Sequence, residues 1–129
     1  MMTRLLAVLA LLGGALLFVA TPAQTDADAN PRVRISTNAG DITVELYPDE
    51  APLTVANFLS YVDSGFYAGT VFHRVIPNFM IQGGGFTQEL AEKPTGEPVK
   101  NESRNHLHNE RGTIAMARTD DPDSAGAQF

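Results

Sequence analysis

The stretch Phe72-His73-Arg74-Val75-Ile76-Pro77-Asn78-Phe79-Met80-Ile81-Gln82-Gly83-Gly84 holds the chain's most suggestive combination of side chains. Arg74 carries a guanidinium, a permanent cation that only donates hydrogen bonds. Gln82 supplies an amide able to orient a guanidinium or a carbonyl, and Phe79 and Met80 supply large apolar surface. A fixed donor beside an apolar wall fits the stabilisation of charge that develops on a bound group, without proton transfer or a covalent intermediate. The competing chemistries lack their residues. There is no cysteine, and so no thiolate nucleophile, zinc–thiolate site or disulfide framework. No Gly-x-Ser-x-Gly is present for a serine hydrolase. Gly83-Gly84-Gly85 is not followed by Lys-Ser/Thr, so it reads as close backbone packing after a strand and not as a phosphate cradle. Asp120, Asp121 and Asp123 lack the loop glycine and closing glutamate of a calcium loop. His106 and His108 lie near Glu102 and Glu110, in a segment that reads as a solvated loop, so no metal and no cofactor is assigned.

The elements that must position this stretch are legible in the flanking pattern. Arg32-Val33-Arg34-Ile35-Ser36 and Ile42-Thr43-Val44-Glu45-Leu46 alternate polar and apolar residues, the period of half-buried strands. Thr37 to Asp41 between them has turn chemistry, with Gly40 free to take a positive φ, so a β-hairpin is expected. Pro52 opens a helix whose Val55, Phe58, Leu59 and Val62 form one apolar stripe, and Gly65 is a natural stop. Strands are expected over 70–76 and 79–82, then one long surface loop over 87–110, then a strand over 112–117. Ala127-Gln128-Phe129 reads as the opening of a further strand.

At 129 residues, 43% hydrophobic and 19% charged, the chain has one globular domain's worth of sequence. Its net charge of -6 opposes nonspecific binding to nucleic acid. The first residues read as an address. Met1 to Arg4 carries one positive charge, Leu5 to Ala20 is wholly apolar, and Thr21-Pro22-Ala23 offers small residues to a signal peptidase. The apolar run of 16 residues is shorter than the roughly 20 that span a bilayer, which favours a cleaved signal peptide over residues 1–23 against an N-terminal membrane anchor. Residues 24–31 read as a flexible tether, and the exported, periplasmic or secreted chain would carry a charge of -7 once Arg4 is removed.

The Phe72-to-Gly84 segment resembles the signature of the cyclophilin-type peptidyl-prolyl cis-trans isomerases, and residues 32–129 resemble that family in element order. Gly65-Phe66-Tyr67-Ala68-Gly69 is similar to the short connection of its bacterial branch. The resemblance implies a mainly β fold: a closed antiparallel barrel of eight strands with capping helices. It puts the family's pocket phenylalanine just after Phe129, so the chain as given is expected to be incomplete at its C-terminal side. It implies catalytic roles for Arg74, Phe79, Met80 and Gln82, and substrate contacts for His73, Ala117, Arg118 and Gln128. At Arg118 the family often has asparagine, a departure that would shift peptide preference. Implied partners are proline-containing polypeptides, with cyclosporin-type ligands as further candidates, and a monomer is expected. The rival expectation is a proline-peptide-binding module or inactive fragment without turnover.

The implied chemistry agrees with the residue types. Rotation about an Xaa-Pro bond breaks amide conjugation, at a barrier near 18–20 kcal/mol. At the twisted midpoint the prolyl nitrogen regains its lone pair, and a donor such as Arg74 stabilises that state more than either planar one.

Overall fold

A computed structural model describes residues 30–129. The expected signal peptide over 1–23 and the first part of the tether lie outside the described residues. The tether's last two residues are engaged: Asn30 Nδ2 donates to Glu45 Oε1 at 3.1 Å, and the Pro31 carbonyl accepts from Leu46 N at 2.9 Å.

The hairpin forms as the alternation predicts. β1 (Arg32–Thr37) pairs antiparallel with β2 (Gly40–Glu45), in a register running from Arg32 opposite Glu45 to Thr37 opposite Gly40. Val33 and Ile35 are half-buried while Arg32, Arg34 and Ser36 face water. Gly40 takes φ 124°, a conformation that a side chain would resist, and Thr37 Oγ1 donates to its carbonyl at 2.7 Å. At the open end Arg32 and Glu45 form an ion pair at 2.9 Å. The hydrogen bonds from Asn30 and then Arg32 hold the Glu45 carboxyl below the usual glutamate range.

α1 (Pro52–Asp63) starts with proline at its first turn, where a missing N–H costs nothing. It buries Val55 and Phe58 and rests Leu59 and Val62 against the same core, as the stripe predicts. The core joins these to Leu46, Val33 and Val44 of the hairpin and to Tyr67 and Phe129. The helix ends at Ser64, and Gly65 follows at φ 69°, its N–H bonded to the Val62 carbonyl.

The N-terminus of α1 is capped from far away. Ala51, at the cap position, has no side-chain acceptor, and the first turn holds no acidic residue. Glu102 fills the gap: its two carboxylate oxygens accept from Leu53 N at 3.1 Å and Thr54 N at 2.8 Å. Asn105 Nδ2 adds a bond to the Glu50 carbonyl at 3.2 Å. Partial burial pushes the Glu102 carboxyl up, but the backbone N–H groups of Thr54 and Leu53 outweigh it and hold the carboxyl below its ordinary range. A carboxyl lowered by folding contributes stability above its unfolded range, and loses it as pH falls through the folded value. Glu102→Ala should therefore destabilise the protein by about 1 kcal/mol at neutral pH, the cost of losing a cap. Paired thermal melts should show the difference shrinking as the pH falls below the glutamate range.

β3 (Arg74–Ile76) pairs antiparallel with β4 (Met80–Gln82). Both are shorter than the 70–76 and 79–82 expected from sequence. Residues 71–73 make no continuous ladder, with Thr70 bridged to Thr87 instead. The connection turns at Asn78, whose φ of 63° is tolerated better by asparagine than by most residues. The 87–110 segment is irregular, as expected, apart from bridges joining Phe86 to Glu92 and Val99 to Ala125.

Two expectations are corrected. Residues 112–117 are not a strand, and the described residues form no closed barrel but two separate two-stranded sheets with one helix. The physical reason is pairing. A barrel closes only when every strand has a neighbour on each side. Around 112–117 the backbone bonds include a local Thr113 N to Glu110 O turn and Ala117 N to Gln128 O, which do not make a ladder.

Candidate active site

The site is assembled on the β3–β4 hairpin. Arg74 and Gln82 are direct cross-strand partners, so their side chains leave the same face at the same level. Arg74 Nη1 donates to Gln82 Oε1 at 3.3 Å. Gln82 Nε2 in turn donates to Gln128 Oε1 at 2.9 Å. Met80 lies two residues before Gln82 and so shares its face, half-buried.

Gln128 comes to this place because every residue of its segment is tied down. Ala125 is bridged to Val99, and the Gly126 carbonyl accepts from Asn57 Nδ2 at 2.8 Å. The Ala127 carbonyl accepts from Tyr67 Oη at 2.8 Å, and the Gln128 carbonyl from Ala117 N at 2.9 Å. Phe129 and Gly83 exchange both backbone hydrogen bonds, at 2.9 and 3.1 Å. Residues 127–129 form no strand, contrary to the expectation, because Phe129 pairs only with Gly83, yet successive side chains face opposite ways. Ala125, Ala127 (1% exposed) and Phe129 turn to the core, while Gln128 turns to the site. Burial pushes the Tyr67 hydroxyl well above the usual tyrosine range, with Tyr61 adding to it, so Tyr67 remains a neutral donor to Ala127.

The three glycines after β4 do what their position suggests. A Cβ on Gly83 would strike the Phe72 ring, one on Gly84 the rings of Phe129 and Tyr67, and one on Gly85 the side chain of Gln128. Gly84 also takes φ 82°. Their bare backbone lets Phe129 reach the core and Gln128 lie beside Gln82.

The structure thus brings together Arg74, Gln82 and Gln128 by side-chain hydrogen bonds, with Ala117 joined through the Gln128 backbone. Phe79 sits in the turn between β3 and β4, 77% exposed, outside this polar network. His73 also stays outside it: its ring packs on Phe86 with centroids 4.4 Å apart, and its Nδ1 is buried without a partner. Arg118 is exposed and donates to the neighbouring Thr119 carbonyl at 2.7 Å. One contributor escaped the reading of the sequence. Glu102, weighed there only as a neighbour of His106 and His108, is the cap of α1, and the uncapped Ala51 with no acid in the first turn was the available signal. Gly85, expected only to allow close packing after a strand, makes room for Gln128 in particular.

Residues 32–129 match the family model described as cyclophilin type peptidyl-prolyl cis-trans isomerase/CLD. The chain belongs to this family. The peptidyl-prolyl cis-trans isomerase of Acinetobacter baylyi is 59% identical over 101 residues, covering 78% of this chain and 54% of its own length. Peptidyl-prolyl cis-trans isomerase B of Escherichia coli is 58% identical over 97 residues, covering 75% of this chain and 59% of its own. The chain therefore spans a little over half the length of these curated relatives. Among solved structures, a Cryptosporidium parvum cyclophilin crystallised in the presence of the dipeptide Ala-Pro superposes with a TM-score of 0.65 at 34% identity, over 77% of this chain and 65% of that one. A cyclophilin from Hirschia baltica gives 0.60 at 28% identity, over 76% of this chain and 55% of that one. The likeness to these cyclophilins, with more residues in strands than in helix, makes the fold a mainly β cyclophilin fold.

Proposed function

We propose that this chain carries the catalytic face of a prolyl isomerase that turns over Xaa-Pro bonds in exported polypeptides. The observation that carries the reading is the cross-strand Arg74–Gln82 pair, extended to Gln128, in a chain of cyclophilin sequence. Arg74 is exposed on the sheet face, where a bound peptide can reach its guanidinium. The Gln82 carbonyl oxygen restrains that guanidinium without neutralising it, leaving N–H groups free to meet a prolyl nitrogen. As the amide twists and its nitrogen regains a lone pair, the donor stabilises the transition state more than either planar isomer. Met80 and the exposed Phe79 ring supply apolar surface for the pyrrolidine, and Ala117, Arg118 and Gln128 border the path of the flanking peptide, with His73 next to Arg74 in the chain and packed on Phe86. No proton leaves the substrate and no covalent bond is made, so the reaction needs only a donor, a wall and a held peptide.

Export rests on the charged start, apolar run and small-residue exit of residues 1–23. Xaa-Pro isomerisation takes roughly 10–100 s uncatalysed at 25 °C, slow enough to limit the folding of newly exported chains. The Ala-Pro dipeptide supplied to the Cryptosporidium parvum cyclophilin supports proline-containing peptides as ligands here. Exchange NMR of an Ala-Pro-Phe peptide with the full-length protein purified from its host tests the reading. Cis and trans signals that exchange faster in the presence of catalytic amounts of protein are the expected result. Binding that shifts the peptide signals without accelerating exchange would make the protein a peptide-binding module instead.

A further inference from the structure

The polar series at the site does not stop at Gln128. Gln128 Nε2 donates onward to Glu92 Oε1 at 3.4 Å. Glu92 belongs to another part of the chain, in the bridge with Phe86. Four side chains therefore form one directed series: Arg74 to Gln82, Gln82 to Gln128, Gln128 to Glu92.

The two ends of this series are chemically unambiguous. A guanidinium can only donate, and an ionised carboxylate can only accept. Each amide between them has one donating and one accepting end, so a single orientation of both amides satisfies all three bonds. Arg74 reaches the outer amide only through Gln82, whereas the Glu92 carboxylate fixes it directly from the other end. We propose that Glu92 is a positioning residue of this site: its carboxylate sets the orientation of the Gln128 amide, which sets that of Gln82, which holds Arg74.

The surroundings favour this role. Glu92 forms no ion pair among the described residues, so its carboxylate is not committed elsewhere. The adjacent Lys93 has its ammonium on the Phe66 carbonyl and over the Phe66 ring, 4.5 Å from the centroid. Lys93 N also bonds to the Gly85 carbonyl at 2.8 Å. The backbone beside Glu92 is thus fastened to the glycine over which the Gln128 side chain lies.

The proposal rests on the isomerase reading, and its test separates the two. Glu92 is exposed, so Glu92→Lys should leave the fold and melting temperature intact. The introduced ammonium only donates. Gln128 must then turn its oxygen outward, and Gln82 meets a donor where it had an acceptor. In the full-length protein, kcat/KM for an Ala-Pro-Phe peptide should fall about two- to tenfold, the worth of one net hydrogen bond, mostly in kcat. The side-chain amide NMR signals of Gln82 and Gln128 should shift together. Adding Gln128→Glu places an acceptor between the introduced ammonium and Gln82 Nε2, so the Gln82 signal should return. Unmoved amide signals in Glu92→Lys overturn the proposal, whatever the activity, and so does a Gln82 signal that the second substitution does not restore. Shifted amide signals in a protein whose parent has no turnover support the orienting role while overturning the isomerase reading.

Discussion

Arg74→Ala should lower kcat/KM for a proline peptide by roughly 10²–10³-fold while leaving the protein folded. That range is the usual consequence of removing one preorganised donor from a transition-state site. The stability half of the expectation comes from the environment of the side chain. Arg74 is exposed, and its hydrogen bond to Gln82 spans 3.3 Å at the surface of a short hairpin. Removing such a side chain ordinarily changes stability by no more than about 0.5 kcal/mol. The backbone register of β3 on β4 does not depend on it. Arg74→Lys is the informative companion, because it keeps the positive charge and loses the planar fork. If charge alone served, the lysine variant would be nearly as active as the parent. If the donor must be held by Gln82 and aimed at the prolyl nitrogen, most of the rate is lost. Exchange NMR for the rate and a thermal melt for the fold, on the same preparations, give both halves. Full activity in Arg74→Ala would overturn the mechanism.

Phe58→Ala should cost the largest stability of any single truncation, about 3–5 kcal/mol. Phe58 is 4% exposed in the middle of the helix stripe, and its ring lies 5.4 Å from Tyr67 and 5.6 Å from Phe129, the latter edge-on at 87°. Neither neighbour can collapse into the space. Tyr67 is held through its hydroxyl to Ala127, and Phe129 through its backbone to Gly83. The cavity therefore persists, and a persistent cavity is what raises the cost above simple transfer. For a domain of about 100 residues this is a fall in melting temperature on the order of 15–30 °C. The site should feel it as well. Phe129 anchors the segment that carries Gln128, so activity in Phe58→Ala should fall even at temperatures where most molecules remain folded. Leu53→Ala, in the same helix but 50% exposed, is the control and should shift the melt by only a few degrees. A Phe58→Ala protein that melts beside its parent would contradict the packing described.

Local signals in the chain carried the hairpin and the helix. Val33 and Ile35 alternate with charged residues, so only one face of β1 can be buried. Val55, Phe58, Leu59 and Val62 recur at helical spacing, so only one face of α1 can be. Pro52 and Gly65 mark its ends through φ alone. For the site, the arginine two residues after Phe72 and the glutamine two after Met80 were legible as a pair of one hairpin, and the structure sets them opposite each other. Strand lengths were legible only in part. Thr70 to Ile76 has strand-forming residues throughout, yet pairing depends on a partner, and only Arg74–Ile76 has a continuous one. Residues 112–117 met the same limit, with strand propensity and no neighbouring ladder.

By itself, then, the sequence determined the periodicities, the turn positions, the lack of a thiol, and the family signature over Phe72 to Gly84. These are properties of residues within a few positions of one another, where covalent geometry makes spacing equivalent to direction. Tertiary structure alone decided which distant groups meet. Glu102 reaches the N-terminus of α1 across 49 positions, and Gln128 reaches Gln82 across 46. No periodic pattern encodes such pairs, because each depends on the summed path of the loops between them. They form because buried segments must find partners for their polar groups. Unpaired N–H groups at a helix start attract a carboxylate, and a bare glycine backbone leaves the one place where the Gln128 amide can lie between Gln82 and Glu92.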